Sequence, residues 1–461
     1  MSTQAELYWS NLNFFINRNL SPIDLLPDQT MNPYLNFFEK RFAIFSFMFL
    51  TGVFRLASFF TSPDATNDAV PSYNPFDKLS SLFQQFVYLT SFFLLLARPK
   101  SSVRAAIRDP WLWLLILMSM FSFLWSDYPA ISRRRGITTF QTSYFGLYIA
   151  SRFTLKQQLQ MLCWAFGMIT VFSFLFSLAF RGVAVESGAN AGSWRGPFTQ
   201  KNLLARLMVL ATIIFILIAL DNPKYPKLAW GLFGNSVLMI LLTGSKTALL
   251  LLLTILMLVP LYKLLRKKDT ILIPVLVSVI LIGGSSLIFI TENWLNILAS
   301  LGRDPTLSGR TTLWEIAIEK ITQRYWLGYG YQAFWLEGGG AEIIWRHEGY
   351  KPPHAHNGFV NMALDFGVLG LILFLIILIV TYGRGIIWLR AGKTSAELWP
   401  ILYVTFFFMY NHTESTIIEH NSIFWALLVS ISLSMKRVKP TRNLPIAPDL
   451  YSDTKVKQNS E

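Results

Sequence analysis

Long apolar runs separated by short polar segments dominate the pattern of this chain. Most runs approach the roughly 20 residues that an α-helix needs to cross about 30 Å of hydrocarbon. The pattern therefore predicts an all-α fold, a polytopic transmembrane bundle of about twelve spans. The predicted spans are 42–60, 79–97, 110–125, 136–150, 158–180, 203–220, 228–242, 247–265, 270–290, 357–381, 398–410 and 421–434. Three of them, 136–150, 398–410 and 421–434, are marginal in length.

Five segments follow from these spans. Residues 1–41 are polar with scattered aromatic side chains and are predicted to be cytosolic or interfacial. Spans one to nine occupy 42–290, and one large periplasmic loop occupies 291–356. Spans ten to twelve occupy 357–434, and residues 435–461 form a basic cytosolic tail. An even number of spans puts both termini on one side of the membrane, and the basic connections favour the cytosol for that side.

One amphipathic helix is predicted inside the large loop. Thr312 and Glu315 have the spacing of a capping box, and apolar residues follow at steps of four. Arg310 immediately precedes this helix, so its guanidinium would lie beside exposed N–H groups at the positive end of the helix dipole. This combination favours anion binding. The alternative is a plain ion pair of Arg310 with Glu315 or Asp304.

Composition supports the membrane prediction and adds a question about charge. Of the 461 residues, 53% are apolar and only 14% are charged, whereas a soluble domain has roughly 25% charged residues. A soluble globular protein is therefore excluded. The net charge is nevertheless +14, and several of its cations lie on predicted outer loops, where membrane insertion gains nothing from them. The single cysteine, Cys163, excludes a disulfide framework or a cysteine-based metal site.

The outer basic residues are candidate anion ligands. Arg135 closes a run of three arginines, and Arg195 and Lys201 flank a turn made by Gly196 and Pro197. Such a turn would direct Arg195 and Lys201 toward a common anion near the membrane surface. Two simpler alternatives remain open, a pair that snorkels at a helix end and arginines that meet lipid headgroups.

A histidine motif closes the large loop. His354 and His356 precede Asn357 at the start of span ten, and histidine can act as a base or an acid near neutral pH. A metal site is not expected, because no carboxylate cluster accompanies the two histidines at ligand spacing. Asp365 lies further along span ten, roughly 13 Å from His356 at about 1.5 Å per residue, and is expected near mid-bilayer. Glu414, in the last outer loop, would pair with an outer arginine, approach an acceptor, or lie in a solvated hairpin.

With these residues the chain resembles the O-antigen ligase and polymerase family of bacterial inner-membrane glycosyltransferases, which has exopolysaccharide polymerases as relatives. The resemblance rests mainly on His356-Asn357 followed at the family spacing by Gly367 and Gly370. Supporting likenesses are Trp125-Ser126-Asp127, the turn 195–202, Leu242-Thr-Gly-Ser-Lys246, Ser308-Gly-Arg310 and Leu327-Gly-Tyr-Gly330.

The resemblance implies transfer of a glycan from undecaprenyl pyrophosphate to an acceptor hydroxyl at the periplasmic face, without metal or other cofactor. In this interpretation Arg310 and Arg195, assisted by Lys201, bind the pyrophosphate, and His356 orients or deprotonates the hydroxyl. The candidate substrate-binding residues are Lys201, Asn202, His354, Asn357, Arg135 and Glu414. The expected partners are the lipid-linked glycan, an acceptor glycan or lipid A core, and membrane lipids, with no nucleic acid. Ligase and polymerase remain open.

Two non-catalytic alternatives remain beside this interpretation. A transporter or flippase of lipid-linked glycans would concentrate ionisable groups within its spans, where Arg55, Arg206 and Asp365 stand out. A non-catalytic partner of a polysaccharide-export assembly would account for the spans but not for the histidine motif.

Overall fold

The computed structural model describes residues 33–61, 74–221, 224–266, 310–349 and 351–435. Within these ranges the chain forms fifteen α-helices and several short 3-10 helices, with one isolated β-bridge and no strand. The all-α prediction is confirmed. The helices are α1 Pro33–Leu50, α2 Phe76–Leu96, α3 Pro99–Ala106, α4 Pro110–Phe121, α5 Pro129–Arg152, α6 Leu155–Ala179, α7 Arg181–Ala184, α8 Lys201–Leu220, α9 Pro226–Thr243, α10 Lys246–Leu264, α11 Arg310–Gln323, α12 Glu342–Glu348, α13 Gly358–Ala391, α14 Trp399–Tyr410 and α15 Ile423–Ser434.

Six of these helices, α2, α6, α8, α9, α10 and α13, have the length and apolar composition needed to cross a membrane. A seventh span would be the pair formed by α3 and the segment Pro110–Leu124, which meet at 93°. The chain is therefore an integral, multi-pass membrane protein. The predicted span 270–290, the N-terminal residues 1–32 and the tail beyond 435 lie outside the described residues.

Three predicted spans, 42–60, 136–150 and 357–381, differ from the helices found, and in the last of them α13 continues to Ala391. Helix α1 ends at Leu50, before Gly52 takes up a left-handed φ of 78°, so the predicted span 42–60 is only partly helical. The marginal span 136–150 is part of α5, which has 24 residues and contains Arg133–Arg135 in its first turns. These arginines were predicted in a loop because α5 is too polar for an apolar pattern. Its small residues permit close packing: a Cβ on Gly136 would lie 2.6 Å from a carbonyl oxygen of α4.

Helix α13 is broken at Gly367, whose φ of 63° and ψ of −165° are not helical. The segment 325–330 of the large loop pairs with the break. Tyr329 N–H donates to the carbonyl of Leu364 at 2.7 Å, and Val368 N–H donates to the carbonyl of Tyr325 at 2.8 Å. These bonds replace helical ones that the break removes. The residues just before the break, including Asp365, are thereby packed against the large loop.

The described part of the large loop forms a small cluster over the start of α13. Leu313, Ala317, Ile344 and Leu364 are buried together there. The structure describes α11 from Arg310 onward, and Thr312 already lies inside the helix, so the predicted capping box is wrong. Arg310 is itself a helical residue and does not precede the helix. Residues 291–309 lie outside the described part of the chain.

The two short helices α14 and α15 are enclosed by protein. Each has 12 residues, and nearly all of their side chains are buried. Trp425 donates its indole N–H to the hydroxyl of Ser143 in α5 at 2.9 Å. Because these helices lie in the core of the bundle, the residues that connect them, 411–422, are held between the surrounding helices. We refer to the end of the bundle that contains 351–358 and 411–422 as the outer end.

Candidate functional site

The segment 411–422 is fixed to the histidine motif by Asn411. The side-chain amide of Asn411 donates to the carbonyl of Phe407 at 2.8 Å, and its Oδ1 accepts the N–H of Thr416 at 2.8 Å. The carbonyl of Asn411 accepts the N–H of Gly358 at 2.7 Å. A Cβ on Gly358 would lie 2.4 Å from Asn411 Oδ1, so a glycine is required for this approach. The contact brings Glu414 to the histidine pair.

Glu414 lies between the two histidines of the motif. Its Oε2 is 3.7 Å from Nδ1 of His356 and 4.0 Å from Nε2 of His354. The two imidazole centroids are 4.4 Å apart. His354 Nδ1 accepts the backbone N–H of His356 at 3.2 Å, which requires a lone pair on Nδ1 and puts the proton of a neutral His354 on Nε2, toward Glu414. The structure therefore brings His354, His356 and Glu414 together, as three of the predicted site residues.

His356 is held in a restrained conformation. Its φ of 51° is in the left-handed region, which is uncommon for a residue with a Cβ. Its side chain is almost fully buried, with 6% of the residue exposed. Asn357, predicted to support the chemistry, caps α13 instead: its Oδ1 accepts the N–H groups of Phe359 at 3.0 Å and Val360 at 3.3 Å. This cap fixes the point at which the motif leaves the helix.

The carboxyl of Glu414 is charged near neutral pH. Burial by itself would raise its pKa, but the adjacent His356 imidazole and the nearby charges of His354 and Arg206 hold the pKa below the ordinary value. An anionic carboxylate beside Nδ1 keeps a proton on that nitrogen and leaves Nε2 of His356 as the basic atom. The pair therefore has the arrangement of a carboxylate-oriented general base.

The same three side chains could also hold a metal ion. Their potential ligand atoms all lie within 4.8 Å of one another. The sequence argument against a metal rested on the lack of a nearby carboxylate, and that argument is wrong because the fold supplies Glu414 from a distant segment. Two imidazoles and one carboxylate form a set that binds zinc in some enzymes. A metal ion would compete with the His356–Glu414 contact for the same atoms.

Arg206 is a site residue that the sequence analysis noted only as an ionisable residue within a span, under the transporter alternative, and did not assign to the glycan-transfer site. It lies in α8, where Tyr410 and the carboxylates of Glu414 and Glu419 are close enough to interact with its charge. Its guanidinium carbon is 5.0 Å from the ring centroid of Phe424. The available signal was its position, because an ionisable residue inside an apolar span is a functional candidate.

Arg195 has a different environment from the one predicted. Only 1% of the residue is exposed, and its guanidinium donates to backbone carbonyls of three separate segments. The acceptors are Val183 at 2.8 Å, Thr199 at 3.1 Å, Ser58 at 3.2 Å and Thr61 at 2.8 Å. These bonds join the loop before α8 to the end of the short helices after α1. The expectation of an Arg195 directed toward an open anion site is therefore corrected: carbonyl oxygens already use its donors.

Lys201 and Asn202 begin α8 and take part in local contacts. The backbone N–H of Lys201 donates to Glu186 Oε1 at 2.7 Å, so the anion at this helix end is a carboxylate of the chain itself. Burial raises the pKa of Glu186 even though that N–H and the nearby cations oppose the effect. Asn202 Oδ1 accepts the hydroxyl of Ser245 at 3.1 Å. Asn202 also lines a small cavity together with Arg206 and Glu414.

Two larger cavities flank the segment 411–422. One, of about 490 Å³, is lined by Arg206, Arg55 and Asp77 among others. The other, of about 250 Å³, contains Arg135 and His354. Both contain Glu419 in their walls. Arg135 donates from Nη1 to the carbonyl of Gln332 at 2.8 Å. Of Arg310 the structure describes the backbone, and its side chain lies outside the described part.

Comparison with known proteins gives the same family as the histidine motif. Residues 231–375 match the family model for O-antigen ligase, a range that contains His356, Gly367 and Gly370. The chain is similar to an exopolysaccharide production protein, ExoQ, of Rhizobium meliloti, with 38% identity over 90 residues, 19% of this chain and 21% of that protein. Putative polysaccharide ligases of Rickettsia felis and Rickettsia conorii are each 34% identical over 80 residues, 16% of this chain and 19% of the relative.

The matched segments therefore span about a fifth of the length of these curated relatives. The resemblance to the O-antigen ligase family is confirmed by these matches. Glu414 and Arg206 lie outside the range of the family model. The fold brings Glu414 to the matched histidine, and Arg206 lines a small cavity together with Glu414.

Proposed function

We propose that this protein is a glycosyltransferase of the bacterial inner membrane, which moves a glycan from an undecaprenyl-pyrophosphate donor to an acceptor hydroxyl at the periplasmic face. The observation that carries the proposal is the contact between Glu414 and Nδ1 of His356 at 3.7 Å, within the family's histidine motif. In this orientation the outer end of the bundle faces the periplasm and both termini are cytosolic. The acceptor is a growing glycan or a lipid A core.

In the proposed reaction His356 acts as general base through Nε2. It accepts the proton of the acceptor hydroxyl as that oxygen attacks the anomeric carbon of the donor sugar. The bond between the anomeric carbon and the pyrophosphate oxygen breaks, and undecaprenyl pyrophosphate leaves with the electron pair. Glu414 stabilises the imidazolium that forms, because its carboxylate faces the protonated Nδ1.

The leaving pyrophosphate requires positive charge where its negative charge develops. Arg206 meets this requirement because it lines both the 490 Å³ cavity and the small cavity that contains Glu414. Arg310 is proposed as a second ligand of the pyrophosphate, assisted by Lys201, the first residue of α8. Arg195 is proposed to act as a positioning residue, since its donors hold the loop that leads into α8.

Purified full-length protein incubated with lipid-linked oligosaccharide and acceptor tests the proposal by the release of undecaprenyl pyrophosphate and the formation of a new glycosidic bond. His356→Ala is expected to lower transfer by about 10²–10⁴, the typical contribution of a general base. His347→Ala is a matched control, because His347 lies in the same loop with its side chain 59% exposed. Transfer by His356→Ala at the rate of that control would remove His356 from the mechanism. Movement of the intact lipid across the membrane without a new bond would instead indicate a transporter.

A further inference from the structure

A groove of about 890 Å³ runs along α6 and α9, and none of the residues of the histidine–carboxylate site lines it. Its wall on α6 extends from Lys156 to Leu175, a length of roughly 28 Å at about 1.5 Å per residue. This length is close to the roughly 30 Å of a bilayer's hydrocarbon core. The groove therefore follows α6 across most of the membrane.

Most of the wall is apolar and open to the membrane. On α6 the exposed fractions are 62% for Trp164, 43% for Val171 and 57% for Leu175. The space between the two helices is left by small residues: a Cβ on Gly167 would have only the side chain of Leu232 in α9 nearby, at 3.4 Å. An exposed apolar groove within a span has the surface that a hydrocarbon chain covers.

One end of the groove is polar and basic. Helix α6 contributes Lys156 and Gln160 there, and the residues before α9 contribute Lys224 and Tyr225. Both lysines are exposed, and neither forms an ion pair with a residue that the structure describes. The far end, around Leu175, has only apolar side chains in its described wall. The groove therefore has the polarity of a lipid, with a charged end and an apolar length.

The carboxylate in this wall, that of Asp221, is already bound to the chain itself. Its Oδ2 accepts the backbone N–H of Ala396 at 3.0 Å, and its Oδ1 accepts that of Ser395. These two donors lie at the start of the short 3-10 helix Ser395–Leu398, where a negative charge is stabilised. The two lysines are therefore the charges that a ligand at this end of the groove would meet.

The basic end lies opposite the outer end of the bundle. Near the start of α6, Gln158 Nε2 donates to the hydroxyl of Ser434 at 2.8 Å, and Ser434 is the last residue of α15, which leads away from 411–422. Asp221 is held by Ala396, which precedes α14, and α14 leads toward 411–422. In the proposed orientation this end is cytosolic, and basic pockets between membrane helices on that side are typical sites for anionic lipid headgroups.

We propose that this groove binds an anionic phospholipid. The phosphodiester of the headgroup contacts Lys156 and Lys224, and an acyl chain lies along α6 toward Leu175. Charge selects the occupant: a zwitterionic lipid carries a cation that the two lysines repel, whereas an anionic lipid does not. The inference is independent of glycan transfer, because the groove and the histidine–carboxylate site share no residue.

Thermal unfolding of the delipidated full chain in a nonionic detergent tests the proposal, because a ligand that binds the folded state raises the unfolding temperature. Three probes are titrated at constant ionic strength: dioleoyl phosphatidylglycerol, dioleoyl phosphatidylcholine and inorganic phosphate. Lys156→Gln and Lys224→Gln remove the charges. Lys227→Gln is the matched control, because Lys227 is an exposed lysine of α9 that does not line the groove.

Phosphatidylglycerol is expected to half-saturate the rise in unfolding temperature at a mole fraction about tenfold or more below that of phosphatidylcholine. Each of the two glutamine variants should raise the half-saturating fraction of phosphatidylglycerol about fivefold, the contribution of one lysine near an anionic headgroup. Lys227→Gln should leave it unchanged, and Lys156→Arg should retain the preference because it keeps the charge.

The place of the acyl chain is tested by filling the groove. Val171→Trp puts a larger side chain into it at an exposed position, so this variant should bind both lipids more weakly. Leu178→Trp is the matched control, since Leu178 is 49% exposed on the same helix and does not line the groove.

Four results would overturn the inference. Half-saturation by the two lipids within about twofold would mean that lipid fills the groove without selection, and an equal response to inorganic phosphate would indicate a site for a free anion. Equal effects of Lys227→Gln and Lys156→Gln would indicate diffuse surface charge, and equal effects of Val171→Trp and Leu178→Trp would leave the acyl chain outside the groove. None of these measurements depends on glycan transfer, so failure of the proposed function would not change them.

Discussion

Replacement of Gly367 by alanine tests whether the break in α13 builds the site. A Cβ at this position would lie 2.3 Å from the carbonyl carbon of Trp326 and 2.6 Å from the backbone nitrogen of Leu327. Both neighbours are backbone atoms, which cannot rotate away as a side chain can. The residue's φ of 63° with ψ of −165° also belongs to a region that glycine alone adopts readily.

The cost of Gly367→Ala can be estimated from these two effects. Backbone strain of this kind costs about 1–3 kcal/mol, and overlap in a packed region costs typically about 1–3 kcal/mol. We therefore expect the free energy of unfolding to fall by about 2–6 kcal/mol. The chain can relieve the overlap only by separating the segment 325–330 from the break. Transfer is expected to fall with stability, because that segment holds the residues just before the break, through the hydrogen bonds to the carbonyls of Leu364 and Asp365.

Thermal unfolding in detergent and limited proteolysis of the segment 325–330 measure these effects. Gly383→Ala is the matched control in the same helix, since a Cβ there meets no atom within 4 Å. This control is expected to be neutral or to stabilise the helix by up to about 1 kcal/mol. If Gly367→Ala and Gly383→Ala unfold at the same temperature and show equal protease resistance, α13 is not broken at Gly367 and the placement of Asp365 is wrong.

Other expected outcomes follow from the same contacts. Glu414→Gln should lower transfer about 10²-fold. The pKa of Glu414 is lowered in the folded chain, so its carboxylate stabilises the fold at pH values above the unfolded pKa, and this stabilisation is lost as the pH falls through the folded pKa. Glu414→Gln should therefore lose less stability below about pH 4.5 than the unchanged chain does. Burial and the charges of nearby arginines lower the pKa of His420 to about 4, so between pH 6.5 and 4 the unfolded chain binds a proton that the folded chain does not. The free energy of unfolding should therefore fall by up to about 3 kcal/mol as the pH is lowered from 6.5 to 4. In the His420→Asn variant the melting temperature should change less over the same pH range. Arg195→Met should destabilise by about 2–4 kcal/mol in thermal unfolding, since it leaves buried carbonyls without donors. Treatment with EDTA should leave transfer unchanged; a loss that zinc restores would instead make His354, His356 and Glu414 a metal centre.

The pattern of apolar residues along the chain was sufficient to predict the position of most long helices. The apolar runs that became α2, α6, α8, α9 and α10 were predicted within a few residues of their bounds, because every backbone hydrogen bond of a membrane helix closes within its own segment. One departure from this agreement is α5, whose threonines and serines donate hydrogen bonds to carbonyls of the preceding turn. Its burial depends on neighbours, which an apolar pattern does not show.

The candidate site was predictable only in part. The sequence identified His356 and His354 through the spacing of the motif, and it identified Glu414 as one of several polar residues in the last outer loop. It could not show that Glu414 faces Nδ1 of His356, because that contact depends on how 411–422 packs against the start of α13. Arg195 and Arg206 show the same limit. Arg195 was predicted to bind an anion, and its guanidinium instead donates to carbonyl oxygens. Arg206 was considered only under the transporter alternative, and it lies near the carboxylates of Glu414 and Glu419.

The sequence by itself determined a polytopic all-α membrane protein with a histidine motif of a known family, because composition, helix-length runs and short motifs are local properties. Only the tertiary structure decided which charges are ligands and which are structural. A guanidinium or a carboxylate in a low-dielectric bundle must find a partner, and the identity of that partner depends on the packing of helices that are distant in the chain. The break at Gly367 has the same origin: its conformation is stabilised by hydrogen bonds from the segment 325–330, which the sequence around Gly367 does not contain.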